Sequence, residues 1–281
     1  MNEAALEAIV ADWEPWAQAA PQIIGPLSGG LSNSSVLLQI AEQRYVLRLN
    51  GEGLAIDRRQ ERAAQTIAAQ HRLAPALLYQ DPGLKFQVSE YVVGRSWTQA
   101  DINNPLQLSK LAGLLAHIHC LPAIEGRLDI AAKINRYQQQ RRYFSAALAQ
   151  LEPALNIIVE QLYLAPVPCC LCHGDLLAAN IVESEGRLWA LDWEYAAMSS
   201  PHFDLAVVLA GQNFDPNLVT AFIEQYQMLR PGSSIASVSL QQWRIAYLYL
   251  DCLWYALQGD DAATGEAVEQ KVKQLQAMLK H

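Results

Sequence analysis

The chain has 281 residues, of which 52% are hydrophobic and 17% charged, and this composition excludes an intrinsically disordered protein. Its net charge is −8 at pH 7, and because duplex binding requires a positive surface, we expect no nucleic acid partner. The N-terminal residues lack the basic start and apolar run of a secretory signal, and no apolar run is long enough to span a bilayer. We therefore expect a cytoplasmic protein without a membrane partner.

The first part of the chain has the pattern of strands around one helix. Residues 36–40 and 45–49 are rich in β-forming side chains and are separated by a short segment, which predicts a hairpin. Asp57 is a predicted N-cap for a helix over residues 58–70. Residues 85–92 predict a further strand.

The rest of the chain is predicted to be mostly helical, with short strands and loops between residues 169 and 193. Asn104 followed by Pro105 predicts a helix start, because proline is favoured at the first helical position. A strand is predicted within residues 164–171. The predicted helices cover residues 105–121, 135–150, 154–163, several segments from 204 onward, and finally 265–280.

Five cysteines, an odd number, favour reduced thiols in a chain without a secretory signal. The run from Cys169 to His173 also invites interpretation as a metal site. A structural zinc site usually needs a second ligand pair, however, and the sequence shows none. We therefore interpret these cysteines as small buried hydrophobic residues of a strand.

One polar motif combines residue types that suit metal binding and catalysis. His173, Gly174 and Asp175 follow the predicted strand, Asn180 lies five residues after Asp175, and Asp192 follows a second predicted strand. Two strands that end side by side would bring Asp175, Asn180 and Asp192 together. Such oxygen ligands suit Mg²⁺ with substrate phosphates, and phosphoryl transfer also needs a carboxylate near the attacking hydroxyl.

In this spacing the sequence resembles the protein-kinase-like small-molecule kinases, the superfamily of choline/ethanolamine kinase, thiamine kinase and aminoglycoside phosphotransferase. The resemblance extends over residues 24–258 and is most specific within 172–204. It implies an α+β fold with two lobes, a nucleotide-binding lobe over residues 1–93 and a helical lobe over residues 94–281 with the catalytic loop and acceptor pocket. It also implies ATP and Mg²⁺ as cofactors, and a small hydroxyl compound as acceptor.

The resemblance assigns roles to the residues of the motif. Asp175 would accept or orient the proton of the substrate hydroxyl, and Asn180 and Asp192 would bind Mg²⁺. His173 would brace the catalytic loop, and Asp204 would hold that loop from behind; both are expected to be structural.

The first lobe adds a predicted phosphate clamp. Related kinases use a strand lysine paired with a helix glutamate, but no lysine precedes Lys85 in this chain. Arg48 stands in the corresponding strand and offers phosphate a rigid, always charged fork. Glu61 would be its partner; the alternative is that Glu61 is a solvent-exposed helix residue.

Two further segments of this lobe are predicted to contact the nucleotide. The Gly- and Ser-rich segment before the first strand lacks the known phosphate-loop patterns, but Asn33 and Ser34 at its end could reach phosphate oxygens. Glu90 and Val92 lie in a segment that resembles the hinge, whose backbone pairs with adenine.

The acceptor is expected to be a cationic alcohol such as choline or thiamine. Glu194 and Tyr195 follow the metal aspartate as in choline and thiamine kinases, and Trp254 lies in an aromatic helix, where cation–π attraction could bind an ammonium group. The alternative is that the aromatic residues of this helix are core. Gly211 stands where choline kinases tend to have glutamate, which leaves thiamine or another alcohol open.

Two other functions are compatible with the sequence. An aminoglycoside-type kinase would need an acidic pocket, to which Asp251, Asp260, Asp261 and Glu266 could contribute. A non-catalytic nucleotide-binding pseudokinase would bind ATP without turnover of any alcohol.

Overall fold

The computed structural model describes Ile9 and residues 21–27, 33–51, 56–164, 168–232 and 235–280. The chain divides into two compact units, the first formed by residues 1–96 and 179–195 and the second by residues 97–178 and 196–281. The predicted division between residues 93 and 94 lies three residues before the first of these boundaries. It assigned residues 179–195 to the second lobe, whereas they group with the first unit.

A five-stranded antiparallel sheet forms most of the first unit, with the strand order β1-β2-β3-β5-β4. The predicted hairpin is confirmed as β2 and β3, which pair from Ser34 with Leu49 to Ile40 with Gln43. Alternate residues of these strands face one buried core, because side chains alternate between the two faces of a strand. The strands are β1 (Gln22–Leu27), β2 (Ser34–Ile40), β3 (Gln43–Leu49), β4 (Leu77–Gln80) and β5 (Phe86–Glu90).

Helix α1 (Arg58–Gln70) has the predicted bounds. Asp57 is its N-cap, and its side chain accepts hydrogen bonds from the backbone N–H groups of Arg59 and Gln60 at 3.0 and 3.1 Å. The buried face of this helix carries Glu61 as well as alanines. The helix therefore brings charged groups into the interior of the first unit.

A small three-stranded sheet completes this unit, formed by β6 (Arg95–Ser96), β8 (Ile181–Ser184) and β9 (Arg187–Ala190) in the order β6-β8-β9. The backbone N–H of Ala190 donates to the carbonyl of Leu73 at 2.7 Å. This bond fixes the end of β9 beside the segment that follows α1. Asp192 comes two residues later.

The second unit is mainly helical. Its core forms around the long helix α8, whose buried residues pack with those of the neighbouring helices. In the described part of the chain, no helix combines the length and apolar character needed to cross a bilayer. The helices are α2 (Gln99–Ile102), α3 (Leu108–Ile118), α4 (Ile130–Gln140), α5 (Ala146–Gln161), α6 (Pro201–Ala210), α7 (Val219–Leu229), α8 (Ser237–Gln258) and α9 (Ala262–Met278).

The predicted helix over residues 135–150 is wrong, because the chain leaves the helix after Gln140 and restarts after Ser145. The hydroxyl of Ser145 caps the new helix by accepting the N–H of Leu148 at 3.1 Å. Helix α5 then continues through Pro153, where the sequence predicted a break. Burial of its apolar face outweighs the cost of an internal proline.

Asn104 caps a single 3₁₀ turn over Pro105–Gln107 before α3, so the predicted cap is confirmed, but the helix itself begins three residues later. The strand predicted within residues 164–171 is shorter than expected: β7 spans Cys170–Cys172, and residues 165–167 lie outside the described part. It pairs with β10 (Ala197–Ser199).

Candidate functional site

The ion pair predicted between Arg48 and Glu61 is present in the first unit. Arg48 Nη2 donates to Glu61 Oε1, while Nη1 donates to Asp192 Oδ1 at 2.8 Å. Glu61 is only 1% exposed, so it is not a solvated helix residue. One guanidinium therefore joins β3, α1 and the segment after β9.

A second arginine, which the sequence analysis missed, lies beside this pair. Arg58 Nη1 contacts Glu61 Oε2 at 2.9 Å and Glu194 Oε2 at 3.1 Å, and its Nη2 donates to Asn33 Oδ1 at 3.1 Å. Asn33 Nδ2 in turn donates to Glu194 Oε2 at 2.7 Å. All four side chains are buried, and both ends of Asn33 have partners within the protein.

Glu194, predicted to contact the substrate, lies in this network with its Oε2 atom bonded to two donors. The sequence signal that could have indicated Arg58 is its spacing. Residues three apart share a helix face, so Arg58 stands on the same face as Glu61.

Asp192 adopts a left-handed backbone with φ of 59°. Such strained positions cluster at functional sites, and aspartate tolerates them better than most residues. Burial raises the pKa of Asp192 to about 6, although the charge of Arg48 acts in the opposite direction. The backbone N–H of Leu191 donates to the carbonyl of Asn180 at 2.8 Å, which holds the two predicted metal ligands on adjoining segments.

A cavity of about 360 Å³ in the first unit is lined by both predicted metal ligands and by Arg48. Arg48 Nε has no hydrogen-bond partner among the described residues, so this buried donor remains available. Carboxylate and amide oxygens are ligands that Mg²⁺ accepts, and the residues present therefore fit a magnesium-bound phosphate group. Glu90 and Val92, the residues predicted to lie in a hinge, line the same cavity.

Ser34 is not among the described residues that line this cavity, whereas Asn33 and Ser35 are. Alternate residues of a strand face opposite sides, and the two neighbours on the cavity side bracket Ser34. Contact of Ser34 with phosphate oxygens stays a prediction. Residues 28–32 of the Gly- and Ser-rich segment lie outside the described part.

The catalytic-loop motif begins in the second unit, directly after β7. Asp204 on α6 accepts the backbone N–H groups of His173 and Gly174, each at 2.8 Å. Gly174 has φ of 83°, a conformation that glycine adopts without strain. The backbone N–H of Asp175 contacts His173 Nδ1 at 3.3 Å, and Asp175 itself is half-buried.

Asp204 is fully buried. Burial alone would raise its pKa, but the hydrogen bonds from His119 and from the backbone N–H of Gly174 hold that pKa below its usual value. The buried carboxylate is therefore ionised and fixes the turn that presents Asp175.

The aromatic residues predicted on the late helix divide into two groups. Trp243, Tyr247 and Tyr249 belong to the buried core, as the alternative interpretation held. Trp254 and Tyr255 are half-buried, with ring centroids 5.1 Å apart in an edge-to-face arrangement. Trp254 is on this helix, whereas Tyr195, the other predicted aromatic contact, is the last residue of the first unit.

The sequence profile of the phosphotransferase enzyme family matches residues 23–236 of the chain. This protein belongs to that family. The prediction of the superfamily from the His-Gly-Asp motif is thereby confirmed.

Two relatives by sequence illustrate the range of this phosphotransferase family. Protein LicA of Haemophilus influenzae is 24% identical over 218 residues, which are 70% of this chain and 61% of that protein. A thiamine kinase of Shigella boydii is 28% identical over 184 residues, which are 64% of each chain. The matched region thus spans less than two thirds of either relative.

The crystal structure of the choline kinase LicA from Streptococcus pneumoniae has a TM-score of 0.80 to this chain, with 21% identity and 99% of each chain covered. This similarity confirms the predicted protein-kinase-like α+β fold. In this family member, Gly211 occupies the position that we compared with the glutamate of choline kinases.

Tyr247 fills the space beside Gly211. A Cβ atom on Gly211 would stand 2.5 Å from the hydroxyl of Tyr247 and 2.7 Å from the carbonyl oxygen of Val207. A glutamate side chain would therefore collide with the core helix α8 here. Packing in the second unit therefore leaves no room for a glutamate at this position, where choline kinases tend to have one.

Proposed function

We propose that this phosphotransferase transfers the γ-phosphoryl group of ATP to the hydroxyl of a small cationic alcohol, such as choline or thiamine, in the presence of Mg²⁺. The observation that carries the proposal is the guanidinium of Arg48, which binds both Glu61 and Asp192 at the wall of a cavity. The proposal assigns the protein to the cytoplasm, with a small molecule rather than a nucleic acid or membrane as partner.

The first unit supplies the nucleotide side of the reaction. Glu61 holds the guanidinium of Arg48, whose free Nε–H and charge suit the oxygens of the ATP phosphates. Asn180 and Asp192 would hold Mg²⁺, which neutralises charge on the phosphates when bound. Glu90 and Val92 line the same cavity and would contact the adenine base.

The second unit supplies the acceptor side. Asp175 would accept or orient the proton of the attacking hydroxyl, which raises the nucleophilicity of that oxygen. The loop that carries Asp175 is fixed by the two backbone hydrogen bonds to Asp204, so the carboxylate needs little reorganisation. His173 contributes to this turn by bonding the backbone of Asp175.

A cationic alcohol is favoured over an aminoglycoside because two of the four acidic residues named for an aminoglycoside pocket are already used within the fold. Asp251 forms an ion pair with Lys271, and Asp261 caps α9 by accepting the N–H of Thr264 at 2.8 Å. Neither is a free carboxylate for a polycationic antibiotic. Within the second unit, the half-buried Trp254 offers an aromatic face to an ammonium or thiazolium group, and Tyr195 remains a predicted contact.

The test is Mg²⁺-dependent ATP consumption with a panel of acceptors: choline, ethanolamine, thiamine and several aminoglycosides. Asp175→Ala serves as the inactive control. We expect turnover on a cationic alcohol that this variant loses. Turnover on aminoglycosides alone would overturn the acceptor class, and binding of Mg-ATP without turnover of any acceptor would favour a pseudokinase.

A further inference from the structure

A cluster of metal-ligating side chains lies in the second unit, where the proposed reaction assigns it no part. Cys170 and Cys172 are two residues apart on β7, so their side chains share one face of the strand. His119 follows α3 and meets them there. All three residues are buried, and one ligand atom from each lies within 4.8 Å of the other two.

The spacing of the two sulfur atoms matches a metal centre. Cys170 Sγ and Cys172 Sγ are 3.8 Å apart. Two thiolates that each bind a tetrahedral zinc ion at about 2.3 Å are separated by about 3.8 Å. The pair therefore needs no rearrangement of the strand to hold one ion between the sulfurs.

The imidazole of His119 is held as metal-binding histidines are. Its Nε2 contacts Asp204 Oδ2 at 3.1 Å, and a carboxylate on the outer nitrogen is a common feature of zinc ligands. Its Nδ1 contacts the hydroxyl of Tyr226 at 2.7 Å. An ion at Nδ1 therefore displaces a neutral hydroxyl, whereas an ion at Nε2 would displace a buried carboxylate.

The charges around the cluster permit a cation. Thiolates are the ligating form of cysteine, and metal binding releases the protons of the two thiols. Arg230 lies near Cys170, but two thiolates balance the charge of a divalent ion. Two sulfurs and an imidazole favour Zn²⁺ over Mg²⁺ or Ca²⁺.

We propose that Cys170, Cys172 and His119 form a binding site for a thiophilic divalent cation, with Zn²⁺ as the ion to test. The sequence analysis set aside a metal at these cysteines because no second ligand pair was visible. The third ligand comes from His119, about fifty residues earlier, and β7 runs directly into the catalytic-loop motif at His173. A bound ion would fix this strand, and the site is independent of which alcohol is phosphorylated.

The experiment uses the full chain with Cys120→Ser and Cys169→Ser, which removes the two cysteines that are not buried. Chelator-treated protein is titrated with Zn²⁺ against a chromophoric chelator, and Co²⁺ is added separately to detect thiolate-to-metal absorption. We expect one equivalent of Zn²⁺ and a thiolate absorption band. Cys170→Ala and Cys172→Ala are each expected to weaken binding about 100-fold or more.

Cys252→Ala is the matched control, because Cys252 is also buried but lies on α8 outside the cluster. Thermal melts verify that each variant folds, and Zn²⁺ should raise the Tm of the parent and of Cys252→Ala but not that of Cys170→Ala or Cys172→Ala. Absence of stoichiometric binding, or binding that survives loss of both Cys170 and Cys172, would mean that the two thiols share only a hydrogen bond and would overturn the proposal.

Tyr226→Phe tests the assignment of His119 as the third ligand through a change that should strengthen Zn²⁺ binding rather than weaken it. The variant removes the hydroxyl that occupies Nδ1 of His119 and changes the packing by one oxygen atom. We expect tighter Zn²⁺ binding than in the parent. Equal or weaker binding by the folded variant would overturn the assignment of His119 Nδ1 as a ligand.

Discussion

Arg48 Nη1 lies 2.8 Å from Oδ1 of Asp192, although 144 residues separate the two in the chain. The contact joins a strand of the five-stranded sheet to a residue with a left-handed backbone after β9. Arg48 therefore links the predicted phosphate clamp to the predicted magnesium ligand.

Arg48→Lys is expected to weaken Mg-ATP binding. The single ammonium group of lysine cannot bind Glu61 and Asp192 in the forked geometry of arginine. Loss of one charge-assisted hydrogen bond costs about 1.5–3 kcal/mol, which corresponds to about 10–100-fold in affinity. Calorimetric titration of Mg-ATP measures the change, and unaltered affinity would argue against the clamp.

Asp175→Ala is expected to slow phosphoryl transfer, whereas Asp192→Ala is expected to abolish Mg-ATP binding. Loss of the proton acceptor should lower kcat by about 10²–10⁴-fold with little change in Mg-ATP affinity. Loss of Asp192 removes a predicted metal ligand and a partner of Arg48, so Mg-ATP binding itself should be lost. Steady-state kinetics and calorimetry separate the two effects. Tight Mg-ATP binding by Asp192→Ala would contradict its metal role.

Arg58→Met is expected to destabilise the first unit strongly. The change leaves Glu61 and Glu194 buried without one of their donors, and removing one partner of a buried ion pair costs about 3–5 kcal/mol. Arg59→Met is the matched control, because Arg59 is the next residue and is exposed. Urea unfolding compares the variants. Equal stability of the two would show that Arg58 is not needed to hold the carboxylates.

Gly211→Ala is expected to lower stability by about 1–3 kcal/mol, as overpacking does in a close-packed core. The added Cβ would stand 2.5 Å from the hydroxyl of Tyr247, so a second change, Tyr247→Phe, should restore part of the loss. Gly113→Ala on α3 is the control, because its Cβ would meet nothing closer than 3.9 Å. Unfolding midpoints in urea distinguish these outcomes, and a neutral Gly211→Ala would contradict the close contact.

The folded protein is expected to lose stability in mild acid because of the buried His202. Burial lowers the pKa of His202, so the folded protein keeps the imidazole neutral. The unfolded chain takes up a proton near the usual pKa of about 6.5, and stability therefore falls as the pH drops below that value. His202→Gln should remove this part of the pH dependence, whereas His117→Gln at an exposed site should not. Denaturation at pH 7 and pH 5 measures the difference.

The sequence predicted the hairpin, α1 and β5 of the first unit, but not β1 and β4. Short sequence patterns predict the hairpin, the Asp57 cap and the bounds of α1, because the hydrogen bonds of these features join residues that are close in the chain. The break after Gln140 and the passage of α5 through Pro153 could not be read in this way. There the burial of distant apolar side chains outweighed local preference.

The sequence by itself determined the family and indicated the candidate catalytic motif and the predicted phosphate clamp, because each depends on residue type at fixed spacing. Only the tertiary structure decided that Arg58 and Glu194 share one buried network and that His119 meets Cys170. These contacts join residues about fifty or more positions apart. They arise from the packing of whole elements, which places partners together without leaving a periodic pattern in the chain.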